Sequence, residues 1–299
     1  MRVALRQTLP FVVESAANMN WYRIVQRIRH LPLLERAEWV WAPLRARFRR
    51  LAVKGVSITI GGRCQVLMPA EFCGGDWWSY ERESIAALVE WLDRHPRGTV
   101  VDIGCSVGIF SVTALFHAPQ ARVVAIDPDA NSVQAARRMC RFAAGKRLMT
   151  LHGFIAADNP TGLPLAEAVA KSDERLEGGG AAGATRYICL SDHDRPASIP
   201  TYSIDGLLCA PASNALKDGP LLLKCDVEGA ELLVLEGARR CLTERSPAIL
   251  LSVHPPTLGQ YGHTVCDVRR YLEAAGYSTR VLAVDHEEHW WCEKREPHA

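Results

Sequence analysis

From Thr99 onward the chain repeats one rhythm: an uninterrupted apolar run, a turn rich in Gly or Asp, then a segment with helical spacing. TVVDIG leads into FSVTALFHA, ARVVAIDPD into residues 131–144, LLLKCDVEG into AELLVLEGARRCL, and AILLSVHP into VCDVRRYLEAAG. Runs that are apolar at every position, rather than every second one, belong to strands covered on both faces, which is the situation of parallel strands joined by helical crossovers. RLMTLHGFIAA reads as a further strand of the set, and YSTRVLAVD with HWWCEK as a closing antiparallel hairpin. The predicted architecture is therefore α/β, a doubly wound, mostly parallel sheet. Residues 158–200 break the rhythm with Pro160, Pro164 and the Gly-rich LEGGGAAGAT, and read as an insertion ahead of TYSIDGLL.

Upstream of the rhythm, residues 79–94 (SYERESIAALVEWLDR) predict a helix opened by Ser79, and residues 53–69 a hairpin around Gly61-Gly62. Residues 20–50 read as a basic amphipathic helix broken at Pro32 and Pro43. The chain thus divides into an N-terminal extension, helical and then hairpin, over 1–78, and the α/β domain over 79–299. Ten Arg, no Lys and three acids give residues 1–50 a net +7, and since the whole chain stands at +2 the remainder carries −5. An acidic body argues against an enzyme that tracks nucleic acid, so no nucleic-acid partner is expected. The basic end suits a peripheral membrane contact, with Trp21, Trp39 and Trp41 at the interface, or packing on the body or on a second copy in a homo-oligomer. No run reaches the roughly 18 apolar residues of a spanning helix. The ten Cys never fall closer than nine residues apart, which excludes the C-x-x-C spacing of zinc sites and fits free thiols in a reducing compartment, the cytoplasm.

Chemistry enters at VVDIGCSVGIF. Gly104 and Gly108 let the turn after a buried strand pass close to a ligand, and the helix behind it presents free amides. At the end of the next strand, VVAIDPD places Asp127 where a carboxylate takes both hydroxyls of a ribose, with Pro128 fixing the turn. A dinucleotide site needs G-x-G-x-x-G for its pyrophosphate, but Ser106 stands in place of the second glycine. Asp102, before the first glycine, suits instead a ligand with an ammonium group and no phosphate, and S-adenosyl-L-methionine is such a ligand. Asp102, Gly104, Cys105, Ser106, Gly108, Asp127 and Pro128 are the candidate cofactor residues, joined by Asp158, which is placed to reach the adenine amino group or to be a solvated loop acid.

DIGCSVGIFS, VVAIDPD, TYSIDGLL, LLLKCDVEGAELLVLEGA and ILLSVHP together resemble the successive blocks of the FkbM family of S-adenosylmethionine-dependent methyltransferases, from Glu81 to the C-terminus. DVEGAE with VLEGA behind it is the most specific block. The resemblance implies a Rossmann-like, seven-stranded class I methyltransferase sheet whose last strand is antiparallel. It also implies O-methylation of a hydroxyl on a sugar, glycan or polyketide-like small molecule. Cys105 and Ser106 depart from the family's usual Ala and Asn, and the basic first 50 residues lie outside the resemblance.

Methyl transfer from a sulfonium is an in-line displacement, so the acceptor oxygen must be aligned and relieved of its proton. His254, Asp226 and Glu228 follow strands on one edge and are the catalytic candidates. His254 is read either as the general base or as a strand-end cap before Pro255-Pro256, and Glu231 either as a site residue or as a helix stabiliser. Asp226 and Glu228 are a conceivable pair for a divalent cation, but two carboxylates alone do not make a metal site, and metal-independent catalysis is the expectation. Two other readings stand beside this one. Gly104-Cys105-Ser106-Val107-Gly108 also fits the G-x-S-x-G of an α/β hydrolase, with Ser106, Asp226 and His254 in the expected order. A noncatalytic nucleoside-binding module would use the same pocket.

Overall fold

The computed structural model describes residues 54–157, 162–177, 199–209 and 219–295. The basic helix expected over 20–50, Asp158 and most of the 158–200 insertion lie outside the described residues. Strands β1 (Val56–Ile60) and β2 (Cys64–Met68) form the expected hairpin, followed by α1 (Arg82–Arg94). The α/β succession then runs β3 (Thr99–Ile103), α2 (Ile109–His117), β4 (Arg122–Asp127), α3 (Ala130–Met139) and β5 (Leu148–His152). A short excursion follows, made of β6 (Phe154–Ile155), α4 (Leu165–Glu177), β7 (Thr201–Tyr202) and α5 (Ile204–Leu208). The second half contains β8 (Leu221–Cys225), α6 (Glu231–Glu236), α7 (Arg239–Glu244), β9 (Ala248–Val253), α8 (Pro255–Leu258), α9 (Val265–Ala274), β10 (Tyr277–Val284) and β11 (Glu288–Lys294).

The main sheet has seven strands in the order β10-β11-β9-β8-β3-β4-β5. Every pairing from β9 through β5 is parallel, whereas β11 is antiparallel to both β9 and β10, so the last strand runs against the others as expected. Side chains alternate between two cores: Val100 and Leu222 join one with β2, α1 and α2, and Val101 and Leu223 join the other with α5, α6 and α9. Burial on both faces explains why the strands read as continuous apolar runs. The winding reverses between β3 and β8, and open α/β sheets bind ligands at such a switch point, beyond the carboxyl ends of the strands.

Four element boundaries differ from the sequence reading. The first helix starts at Arg82 rather than Ser79, because Ser79 is tied by its hydroxyl to Asp76 (2.6 Å) and Glu81 takes a left-handed conformation (φ 34°) just ahead of the helix. RLMTLHGFIAA splits at Gly153 into β5 and β6, the latter pairing with β7 in a separate two-stranded sheet. A Cβ on Gly153 would lie 2.6 Å from the Tyr202 ring, so the chain crosses there only as glycine. AELLVLEGARRCL splits at Gly237, whose carbonyl accepts from Asp205 N (2.9 Å) and whose Cβ would sit 2.4 Å from the Ala156 oxygen. The helix expected over 131–144 ends at Met139 and is followed by turns. Among the described residues no helix is long and apolar enough to cross a membrane, and the nine described Cys are free thiols.

Candidate active site

The turn leaving β3 is shaped by backbone crowding. Gly104 (φ 74°) and Cys105 both donate their N–H to the Ile126 carbonyl (2.9 and 3.0 Å), folding the chain across β4. A Cβ on Gly104 would lie 1.7 Å from the Asp226 carbonyl oxygen, so no other residue fits without moving the turn of β8. Gly108 (φ 84°) precedes α2, and its Cβ would touch Ala136 of α3 at 3.0 Å. The first glycine brings two strand ends together, and the second brings two helices together.

Asp127 closes β4 at 8% exposure. Its Oδ2 accepts from Ser106 N (2.9 Å) and its Oδ1 from Asp129 N (2.8 Å). Burial pushes its carboxyl up to about 6, and the two backbone donors only partly offset that. Both oxygens are held in fixed positions by the backbone and keep a second lone pair, the arrangement a ribose diol requires. Asp129 next to it caps α3, accepting from Asn131 N and Ser132 N.

On the other side of the switch point lies a buried ionic network. Lys224, inside the apolar run of β8 and 3% exposed, stands in register with Asp102 of β3. Its Nζ is 3.1 Å from Asp226 Oδ2 and 3.7 Å from Asp102 Oδ1. Burial alone would drive its proton off, but Asp226 and Asp102 hold the ammonium well above the usual Lys value. Asp102, only 1% exposed, also accepts from Ser111 Oγ (2.6 Å).

Beyond Asp226 the chain bends through Glu228, held at φ 54°, and Gly229, whose Cβ would meet Thr257 at 2.7 Å. His254, at the end of β9 and 5% exposed, lies among carboxylates. Its Nδ1 bonds Glu231 Oε1 (2.7 Å), and that oxygen also accepts from Gly229 N (2.9 Å). Its Nε2 contacts Glu287 Oε2 and faces Asp226 Oδ1 (3.5 Å) and Glu228 Oε2 (3.6 Å). Burial lowers the imidazole's affinity for a proton, but the hydrogen bonds to Glu231 and Glu287 outweigh it and push the pKa up to about 10. An imidazolium with both N–H groups bonded to carboxylates has no lone pair with which to accept a proton. In this arrangement His254 is therefore not the general base the sequence suggested, and neither ring nitrogen is available to activate Ser106 as a hydrolase nucleophile.

These parts surround one cavity of about 680 Å³ along the carboxyl ends of β3, β4 and β8. Of the residues anticipated from sequence, Gly104, Ser106, Asp127, Pro128, Asp226 and Glu228 line it. Cys105 and Gly108 shape the turn without facing the cavity, Asp102 is buried beneath it against Lys224, and His254 stands behind Asp226. The sequence reading missed Glu81 and the turn residues Asp285, His286 and Glu287, which line the same cavity. Their signal was the titratable run DHEEH at the tip of the final hairpin, far denser in chemistry than a hairpin turn requires. Lys224 was missed because LLLKC was taken as purely apolar, although a Lys in a fully buried strand has to be paired.

The chain matches the family model described as "Methyltransferase FkbM domain" over residues 102–279, more than half of its length. It is 42% identical over 53 residues to the ribosomal RNA small subunit methyltransferase C of Stutzerimonas stutzeri (strain A1501), a stretch of 18% of this chain and 16% of that protein. Among solved structures, the methyltransferase FkbM from Methylobacillus flagellatus KT aligns with a TM-score of 0.44 and 15% identity, covering 82% of this chain and 57% of that one. The precorrin-6y C5,15-methyltransferase from Geobacter metallireducens GS-15 aligns with a TM-score of 0.41 and 12% identity, covering 74% of this chain and 93% of that one.

Proposed function

Because the chain belongs to the FkbM methyltransferase family and is thus an S-adenosylmethionine-dependent methyltransferase, we propose that it transfers the methyl group to a hydroxyl oxygen of a sugar, glycan or polyketide-like molecule. The residues fit the cofactor. The close approach at Gly104 leaves room for it at the switch point, and Asp127, with both oxygens fixed, suits the ribose. The bound cofactor supplies the electrophilic methyl, and this chain's residues orient and deprotonate the acceptor.

The observation supporting an oxygen acceptor is the acidic wall facing Asp127 across the cavity, to which Glu81, Asp226, Glu228 and Glu287 contribute. Carboxylates only accept hydrogen bonds when ionised, so they suit a polyhydroxylated substrate that offers O–H donors. In the displacement the acceptor oxygen bonds to the methyl carbon, the carbon–sulfur bond breaks with its electrons going to sulfur, and the hydroxyl proton passes to a cavity carboxylate. Glu228, with its side chain 46% exposed, is the acceptor for that proton, whereas His254 acts as a positioning residue that holds Asp226 and Glu287 in place. The hydrolase reading falls with the family membership. Transfer of labelled methyl to fractionated small molecules, glycans and RNA tests the proposal. Label on an ether oxygen, with turnover lowered roughly 100-fold in Glu228→Gln, is the expected result. Label on nitrogen, carbon or RNA would overturn it, and so would turnover that ignores Glu228.

A further inference from the structure

Three groups of metal-capable side chains occur among the described residues, and Glu287 belongs to all of them. The group of Asp226, His254 and Glu287 differs from the other two in its histidine, which is buried and backed by the Glu231 carboxylate at 2.7 Å. Asp226 and Glu287 line the cofactor cavity, so anything they hold would be open to substrate on one side and backed by β8, β9 and the final hairpin on the other. From this geometry we infer that Asp226, His254 and Glu287 form a site for a divalent cation of the Mg2+/Mn2+ class, which binds the acceptor hydroxyl. The inference rests on the methyl-transfer reading and deepens it.

Three observations support the site. First, the ligand atoms of Asp226, His254 and Glu287 lie within 4.8 Å of one another, with His254 Nε2 3.5 Å from Asp226 Oδ1. A cation at roughly 2.0–2.3 Å from each would take the place of the Nε2 proton, with Glu287 drawing back from its hydrogen bond to Nε2. Second, the outer support of a metal-binding histidine is already built. Glu231, fully buried and fixed by Gly229 N, takes the Nδ1 side of His254 and turns Nε2 towards Asp226 and Glu287. A carboxylate behind the ring fixes its tautomer and raises its basicity as a ligand. Third, the other side of Glu287 is held independently. Its second oxygen is faced by His289 Nε2 at 3.4 Å, which also faces Asp285 Oδ2 at 3.5 Å, so the carboxylate keeps Oε2 turned to His254.

The charges point the same way. Glu81, Asp102, Asp226, Glu228, Glu231, Asp285 and Glu287 form one connected network with Lys224, His254, His286 and His289. Seven carboxylates exceed the four basic groups even with every histidine protonated, and a divalent ion replacing the His254 proton would reduce that excess. Carboxylates with one imidazole suit Mn2+ and Mg2+ better than the thiophilic metals. Held there, the ion would act as a Lewis acid on the acceptor oxygen, lowering its pKa so that its proton leaves for Glu228 as the oxygen bonds the methyl carbon and sulfur takes the electron pair.

The test is Mn2+ titration of the full-length chain with S-adenosylhomocysteine present, followed by electron paramagnetic resonance and its pulsed form. Binding of one Mn2+ per chain, with a nitrogen coupling from a directly bound imidazole in the wild type, is expected. His254→Gln should abolish that coupling, and Asp226→Asn and Glu287→Gln should each weaken Mn2+ at least 10-fold. Mg2+ should compete. Absence of stoichiometric Mn2+, or bound Mn2+ without imidazole coupling, would overturn the site, and the wild-type spectrum decides this even if a variant fails to fold. Asp127→Ala separates the two readings. It should weaken S-adenosylhomocysteine while leaving Mn2+ bound, and an imidazole-coupled ion in a protein that methylates no hydroxyl would keep the cation site and discard the acceptor assignment.

Discussion

Replacing Lys224 with Met tests whether the buried network, rather than the apolar packing around it, fixes the end of β8. Met keeps an unbranched side chain of similar length against the Phe110 ring, over which the Lys224 ammonium sits at 4.9 Å. What is lost is the cation between Asp226 and Asp102. Asp226 keeps 22% exposure at its side chain and can draw on water, but Asp102, at 1%, is left with the hydrogen bond from the Ser111 hydroxyl. Stranding a buried charge costs about 3–5 kcal/mol, and the partial solvation of Asp226 places the expected loss near the lower end, about 3 kcal/mol. For a domain of this size that lowers the melting temperature by roughly 6–12 °C. Thermal and urea unfolding of the wild type, Lys224→Met, Asp102→Asn and the double variant complete a cycle. The double variant should recover at least about 1 kcal/mol relative to Lys224→Met, since a neutral amide no longer needs a cation. A loss below about 1 kcal/mol in Lys224→Met, or no recovery in the double variant, would refute the argument that Asp102 depends on Lys224.

Cofactor affinity should fall with pH. Folding raises the Asp127 pKa from 3.8 to about 6, so this group favours the folded state below 3.8 and loses that contribution as pH rises towards 6. Cofactor binding has the opposite preference, because the ionised carboxylate is the form that accepts two ribose hydroxyls. Calorimetry with S-adenosylhomocysteine should show affinity dropping up to tenfold per pH unit below about 6, with no such step in Asp127→Asn, and a flat wild-type profile would count against the ribose contact. Gly104→Ala should abolish cofactor binding or folding, since its Cβ would lie 1.7 Å from a backbone oxygen. Gly62→Ala, strained only by φ 67° with its nearest neighbour 3.7 Å away, should cost no more than about 1–2 kcal/mol, and equal damage from both substitutions on unfolding would remove the steric argument.

The sequence shows a requirement where that requirement is local. Gly104, Gly108 and Asp127 were legible because a positive φ, a close approach and a carboxylate at a strand end each demand a residue type at a fixed place in a short motif. The count of seven strands and the antiparallel last strand came through family resemblance, whereas the insertion of β11 between β9 and β10 was not anticipated, as alternation alone does not specify strand order. The acidic wall was only half visible, for it is assembled from Glu81 ahead of α1, Asp226 and Glu228 beyond the end of β8, and the hairpin tip at Glu287. Asp102 was taken for a cofactor-orienting acid because its register partner, Lys224, lies more than a hundred residues away. His254 was read by its ordinary titration, which holds only while the charges around it are unknown. The helix start at Ser79 was misplaced because Glu81 leaves helical geometry to face the cavity, a choice that local capping rules cannot anticipate.

Insertion of β11 between β9 and β10 has a consequence for when the protein can work. Both of its neighbours in the sheet are already present before it is made, so β11 fills a gap rather than extending an edge. The turn leading into it delivers Glu287, and its first residues include His289, so the cavity wall is finished by one of the latest pieces of the described chain. During synthesis the parallel core and the Asp127 pocket can form while β9 still has an unpaired edge and His254 lacks Glu287. Such a chain would be able to hold a nucleoside before it could act on an acceptor. Because β11 can fill its place only once β9 and β10 are in position, competence for catalysis should trail competence for cofactor binding during synthesis.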